Sequence, residues 1–295
     1  FLSGNWARSQ TTYFFSMGLV LLLIRLYESV WVYQLVIGLG CLVGFYASTQ
    51  LVKIPESTAP SSSARTPIAR TLRDIRRSSR LRKLLGGWTA GIASFVLVIP
   101  FSIVTLKNGY AISDYHALFF SLLILAGGIA SSLINGRIAD TVGPRPLLIA
   151  YVSGFFLTAL YWALAPDRFY TVAVALVFFF AGFCKTGIIL ATNHYFLSIV
   201  EPEERVGISI FARMIAGASA GLAGALGGGS AFRIIRAFGI EGLDVYRTYF
   251  RIALAALMLL IFLAIRTEKT SGEWGVRRAA HALGRRISEL NRGGK

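Results

Sequence analysis

The sequence predicts an all-α, polytopic membrane protein of about eight transmembrane helices, on three observations. Of its 295 residues, 55% are hydrophobic and 15% are charged, with a mean hydropathy of +0.63. A soluble domain carries about a quarter of its residues as charged side chains. The apolar residues gather in runs close to the roughly 20 that a helix needs to cross a hydrocarbon core. The polar residues collect between those runs, and 30 Lys and Arg stand against 14 Asp and Glu.

Eight runs meet the length requirement: 11–27, 30–50, 87–106, 115–135, 147–165, 170–195, 206–232 and 246–265. Turn-forming residues separate them, as in Lys107-Asn108-Gly109, Gly143-Pro144-Arg145-Pro146 and Pro166-Asp167-Arg168. The runs are apolar throughout, without the alternation of a membrane β-strand, which excludes a β-barrel. Cys41 and Cys184 each lie inside an apolar run, so no disulfide or metal framework is implied.

Counted over alternate loops, 21 of the 30 basic residues fall on one side. They are Arg8, nine from Lys53 to Lys83, Arg137 and Arg145, Arg205, and eight from Arg266 onward. Seven fall on the other side, and Lys185 and Arg213 lie within runs. The positive-inside rule then places both ends of this chain in the cytoplasm of a cell-membrane protein. The same bias explains the net charge of +16 without a nucleic-acid partner.

Within the long basic segment, residues 55–65 read as a flexible linker and Thr66-Pro67 as the start of a helix. Ile68, Leu72 and Ile75 share one face of that helix, and Arg70, Arg73, Arg76, Arg77 and Arg80 share the other. Residues 276–292 repeat the pattern, with Val276, Leu283, Ile287 and Leu290 beside Arg277, Arg278, Arg285 and Arg286. Both stretches, 66–85 and 276–292, are expected to bind anionic lipid headgroups.

The stretch from Asn135 to Leu147 contains Gly136, Asp140, Gly143 and Arg145. It resembles the signature of the major facilitator superfamily, Gly-x-x-x-Asp-(Arg/Lys)-x-Gly-(Arg/Lys)-(Arg/Lys), which joins the second and third helices of each six-helix half. Thr141 and Pro144 stand where that signature has basic residues. A second stretch, Glu201-Pro202-Glu203-Glu204-Arg205, is similar to the loop between the family's tenth and eleventh helices. Pro202 there suits a helix start, with Glu203 and Glu204 in the first turn. The resemblance makes the eight runs helices five to twelve. It divides the chain into 1–50 (end of the first half), 51–86 (linker with an amphipathic helix), 87–266 (second half) and 267–295 (basic tail). Phe1 and the abrupt start then suggest a piece of a longer protein.

The resemblance implies a secondary transporter of a small solute working by alternating access, without cofactor or metal, and acting as a monomer. It also implies that Asp140 closes an inner gate against a helix starting near Ser9-Gln10-Thr11, with Gly136, Gly143, Arg145 and Arg205 in the gating loops. An alternative is a receptor or assembly factor that keeps the fold without transporting. An enzyme is not expected, since no metal-ligand spacing, nucleophile–base pair or phosphate-cradling loop is present.

Charges inside spans are costly and mark functional sites. No acid falls near the middle of a run, which leaves Lys185 and Arg213. Thr192 shares the helical face of Lys185 and Asn193 flanks it. Lys185, Thr192, Asn193 and Arg213 are therefore the expected solute-binding residues, and two cations without an acid favour an organic anion. The glycines of 217–229 are expected to let helices approach closely or slide.

Overall fold

A computed structural model describes residues 2–27, 30–51, 68–201 and 204–265. The linker at 55–65 and the basic tail at 267–295 lie outside the described residues, and so do Pro202 and Glu203. No strand occurs among the described residues.

The helices are α1 (Leu2–Leu26), α2 (Val30–Leu51), α3 (Ile68–Arg77) and α4 (Ser79–Val104). They continue with α5 (Asp114–Val142), α6 (Pro144–Ala163), α7 (Thr171–Ile199) and α8 (Arg205–Ala225). A short α9 (Phe232–Ala237) and α10 (Leu243–Ile265) complete the order. Six of these stretches are long and apolar enough to cross a membrane: Gly4–Leu26, Ser79–Gly109, Asp114–Asn135, Pro144–Ala163, Thr171–Ile199 and Arg205–Ala237. The other two predicted spans form α2 and α10 but are not among those six, so among the described residues the expected count of eight is not confirmed.

Several boundaries differ from expectation for local reasons. The fourth-span motif is no open loop: α5 runs through to Val142 and Pro144 already begins α6, leaving Gly143 as the whole turn. Lys107-Asn108-Gly109 forms a π turn that extends α4. The glycine run after α8 forms a second π turn, Leu226–Ala231, so helix continues from Arg205 to Ala237. Ser78 caps α4 by accepting from the Leu81 amide at 3.3 Å, which turns the chain sharply between α3 and α4.

The bundle is organised around α5 on α7, its most extensive helix pair, with α1 on the flank of α5 and α6 on α7. On the other side α4 packs against α8, α10 and α7. The α5–α7 seam is a backbone contact. A methyl group on Gly127 would strike the backbone of Phe179, and one on Gly182 would strike that of Ile124. These are not the glycines that the sequence reading selected. Gly217 and Gly221 face nothing within 4 Å, whereas Gly224, Gly227 and Gly228 do meet Val96, Leu97 or Phe101 of α4.

The helix ends form two polar layers. At one end Arg247 donates to the Ala165 carbonyl and pairs with Asp167 and Asp244 at 2.7 and 2.8 Å, tying α10 to the loop after α6. The Tyr110 hydroxyl donates to the Pro166 carbonyl in the same layer. Burial, with Tyr161 nearby, pushes that phenol up to about 12, so it stays protonated and keeps donating. At the opposite end α3 lies under α4 and α8. Ile75 is buried there with Leu81, Leu84, Tyr195, Phe196 and Ile208, so this part of the helix's apolar face is spent on the protein itself.

Replacing Gly182 by alanine is expected to cost at least about 1–3 kcal/mol, because backbone cannot yield as a side chain would. Size-exclusion profiles and thermal unfolding should show loss of monodisperse protein for Gly182→Ala and no change for Gly217→Ala.

Candidate functional site

Lys185 is the central residue of α7, fourteen residues from Thr171 and fourteen from Ile199. At 1.5 Å per residue it lies roughly 21 Å from either end. Gly128 is likewise the central residue of α5, fourteen from Asp114 and fourteen from Val142. Gly182 and Thr186 turn towards α5, while Ile188 touches Gly91 of α4. The 100° helical step then directs Lys185 between α5 and α4. It is half-buried, and among the described residues its ammonium has neither a carboxylate nor a hydrogen-bond partner.

The other expected solute-binding residues separate into two places. Thr192, 7% exposed, shares the Lys185 face two turns on, and Asn193 is half-buried beside it. Arg213 is exposed on α8, whose buried stripe is Ile208, Ala212 and Ala216 against α4. The helix α4 stands between α7 and α8, and no electrostatic contact joins Lys185 to Arg213 among the described residues.

The signature loop lies at the α3 end of the bundle. Gly143 adopts φ 87° and ψ 159°, a region open essentially to glycine alone, and the single-residue turn depends on it. Gly136 and Asp140 are helical residues of α5, and Arg145 is half-buried in the first turn of α6. Gln10 lies opposite Gly128, and Arg25 reaches Tyr115 at 3.4 Å, which makes α1 and α5 antiparallel. The expected helix start at Ser9-Gln10-Thr11 is therefore corrected: α1 is helical from Leu2, and Ser9–Thr11 lie level with Gly128. Asp140 is twelve residues further along α5, roughly 18 Å away, at or just past the level of Leu2.

Arg205 has a local role. It donates from Nε to the Val200 carbonyl at 3.1 Å and from Nη2 to the Leu197 carbonyl at 3.0 Å, closing the C-terminus of α7. That places a cation where the helix dipole is negative. The helix α8 begins at Arg205, so Glu204 precedes its first turn, and Glu204 makes no capping hydrogen bond.

Two polar groupings are invisible to a search for charges. Thr186 and Gln10 both lie against Gly128, the first from α7 and the second from α1. Further along α5, Asn135 is 1% exposed and donates to the Ser131 carbonyl and hydroxyl. The Tyr151 hydroxyl of α6 faces Ser131 and Asn135, its ring lying over Gly187 where any Cβ would collide.

The family model of the Major Facilitator Superfamily matches residues 9–227. Solute carrier family 22 member 23 of Rattus norvegicus is 36% identical over 101 residues, covering 34% of this chain and 14% of its own length. The Homo sapiens protein of the same name is 35% identical over 101 residues, with the same shares. The matched stretch thus spans about a seventh of those relatives.

Gly143→Ala is expected to destabilise the α5–α6 junction by about 1–3 kcal/mol. Purified variant and parent compared by thermal unfolding check this, and an unchanged midpoint contradicts it.

Proposed function

The chain belongs to the Major Facilitator Superfamily, and from that premise we propose that the whole protein is a secondary active transporter, not an enzyme. It carries a small solute by alternating access, and an organic anion is the favoured cargo. The observation that supports the cargo class is the position of Lys185.

On insertion scales a lysine at the centre of a membrane helix costs about 2.5–3.5 kcal/mol. A lysine near a helix end reduces that cost by reaching the headgroups. Lys185 is as far from both ends of α7 as that helix allows. A carboxylate of this chain could offset the cost, but none pairs with it among the described residues. A bound anion would supply the missing charge. Thr192 extends the same face as a hydroxyl donor, and Asn193 and Arg213 are assigned to the same cavity. Arg213 is exposed on α8 beyond α4, so its part in that cavity requires the bundle to rearrange.

In this reading the two halves rock about the Lys185 level, while the motif around Gly136, Asp140, Gly143 and Arg145 governs closure at the α3 end. Asp140 sits level with the start of α1 and would act on that end of the helix. Arg205, by holding the C-terminus of α7, would keep the cavity helix and α8 moving together. The basic face of α3 would rest on anionic headgroups while Ile75 holds the helix to the bundle.

Lys185→Ala in the full-length protein is expected to reduce uptake of radiolabelled organic anions into proteoliposomes roughly tenfold or more, about 1.4 kcal/mol in transition-state or binding terms. Lys185→Arg should retain part of it. Uptake unchanged in Lys185→Ala, with the protein equally folded, contradicts the assignment.

A further inference from the structure

Resting on the transport reading, the geometry points to a carboxylate-binding site made by two helices that meet over Gly128. We propose that Lys185 and Thr186 of α7 and Gln10 of α1 hold one carboxylate of the solute between them. In the sequence Gln10 stands out only as part of the expected helix start Ser9-Gln10-Thr11, not for its side chain.

The first observation is a convergence of polar groups. A Cβ built on Gly128 would lie 2.8 Å from the Thr186 hydroxyl and 3.4 Å from the carboxamide of Gln10. Two polar side chains from different helices therefore border the same missing methyl group. The second observation is that none of the three groups is used internally. Neither the Gln10 amide, the Thr186 hydroxyl nor the Lys185 ammonium has a hydrogen-bond or ion-pair partner among the described residues. Nearby hydroxyls behave differently: Thr11 donates to Ala7, and Ser132 donates to Gly128, each at 2.9 Å. Thr186 as a whole is 2% exposed.

The third observation is depth. Gly128 and Lys185 are each the central residue of a 29-residue helix, and both lie inside stretches long and apolar enough to cross a membrane, where unpaired polar groups are costly.

Each group suits a carboxylate. The ammonium supplies charge and excludes a cation. The hydroxyl donates one hydrogen bond, and the primary amide can rotate its NH₂ towards an anion. Gly128 forms the floor, since a side chain there would fill the space between Thr186 and Gln10. Because α1 and α7 do not pack extensively on each other among the described residues while both pack on α5, a solute bound between them bridges two separate elements. Binding would therefore report on their relative position, which is the movement that alternating access requires.

The test supplies the carboxylate from the protein. Gln10→Glu in the full-length protein places an acid where the solute's carboxylate would lie, paired with Lys185. In detergent without any solute, Gln10→Glu should raise the unfolding midpoint, by roughly 2–4 °C for a modest net gain. The gain should vanish in the Gln10→Glu/Lys185→Ala double variant, while Gln10→Leu alone gives no increase. The same Gln10→Glu protein should take up benzoate at least tenfold more slowly, because the tethered acid occupies the site. A midpoint lowered equally in the Lys185 and Lys185→Ala backgrounds overturns the shared site. The stability cycle is read without transport, so its failure is distinct from a failure of the transport reading, which is judged on uptake by Lys185→Ala.

Discussion

The close approach of α5 to α7 is the constraint on which the rest depends. In a membrane, helices are not driven together by expulsion of water, so contact area and backbone proximity must hold them. Gly127 and Gly182 supply this reciprocally, each receiving the partner helix's backbone. The same approach brings the centre of α5 against the centre of α7 and leaves Gly128 facing Thr186 and Gln10. A wider seam would still form a bundle, but it would separate these polar groups and dilute the site.

From that seam the functional organisation follows by level. At mid-depth lie Lys185, Thr186, Gly128 and Gln10. One end is tied by side-chain hydrogen bonds and ion pairs, chiefly Arg247 to Asp167 and the loop after α6. The other end is tied by apolar packing beneath α3 and by Arg205 on the terminal carbonyls of α7. Exposed ion pairs are worth about 0–1 kcal/mol and can exchange. The Gly143 turn, in contrast, uses a backbone conformation that a residue with a side chain would not readily adopt. Changes between states are expected where polar contacts can re-form.

Helix class and most spans were legible because hydropathy and the bilayer impose a single length scale. Lys185 was legible for the same reason, as a charge where none is expected. Boundaries were harder: the motif from Asn135 to Leu147 looked like a loop because glycine and proline suggest turns, yet only Gly143 leaves the helix. Glycine packing was only partly legible: Gly224, Gly227 and Gly228 do lie against α4, while Gly217 and Gly221 face nothing within 4 Å. The seven-residue array in 217–229 drew attention, while Gly127 and Gly182 stand among bulky neighbours. Which glycine meets a backbone depends on helix rotation, which one sequence does not contain. Gln10 was missed for a related reason, since an uncharged amide gains meaning only when another helix places Thr186 beside it.

The central claim is that Lys185 lines a water-accessible solute path and not a lipid-facing surface. It is tested most directly by placing a cysteine there in a full-length protein in which Cys41 and Cys184 have been replaced. The account predicts that Lys185→Cys reacts with a charged, membrane-impermeant thiol reagent and that a transported anion slows the reaction. Reaction only with a lipid-soluble reagent, unaffected by anions, would contradict it.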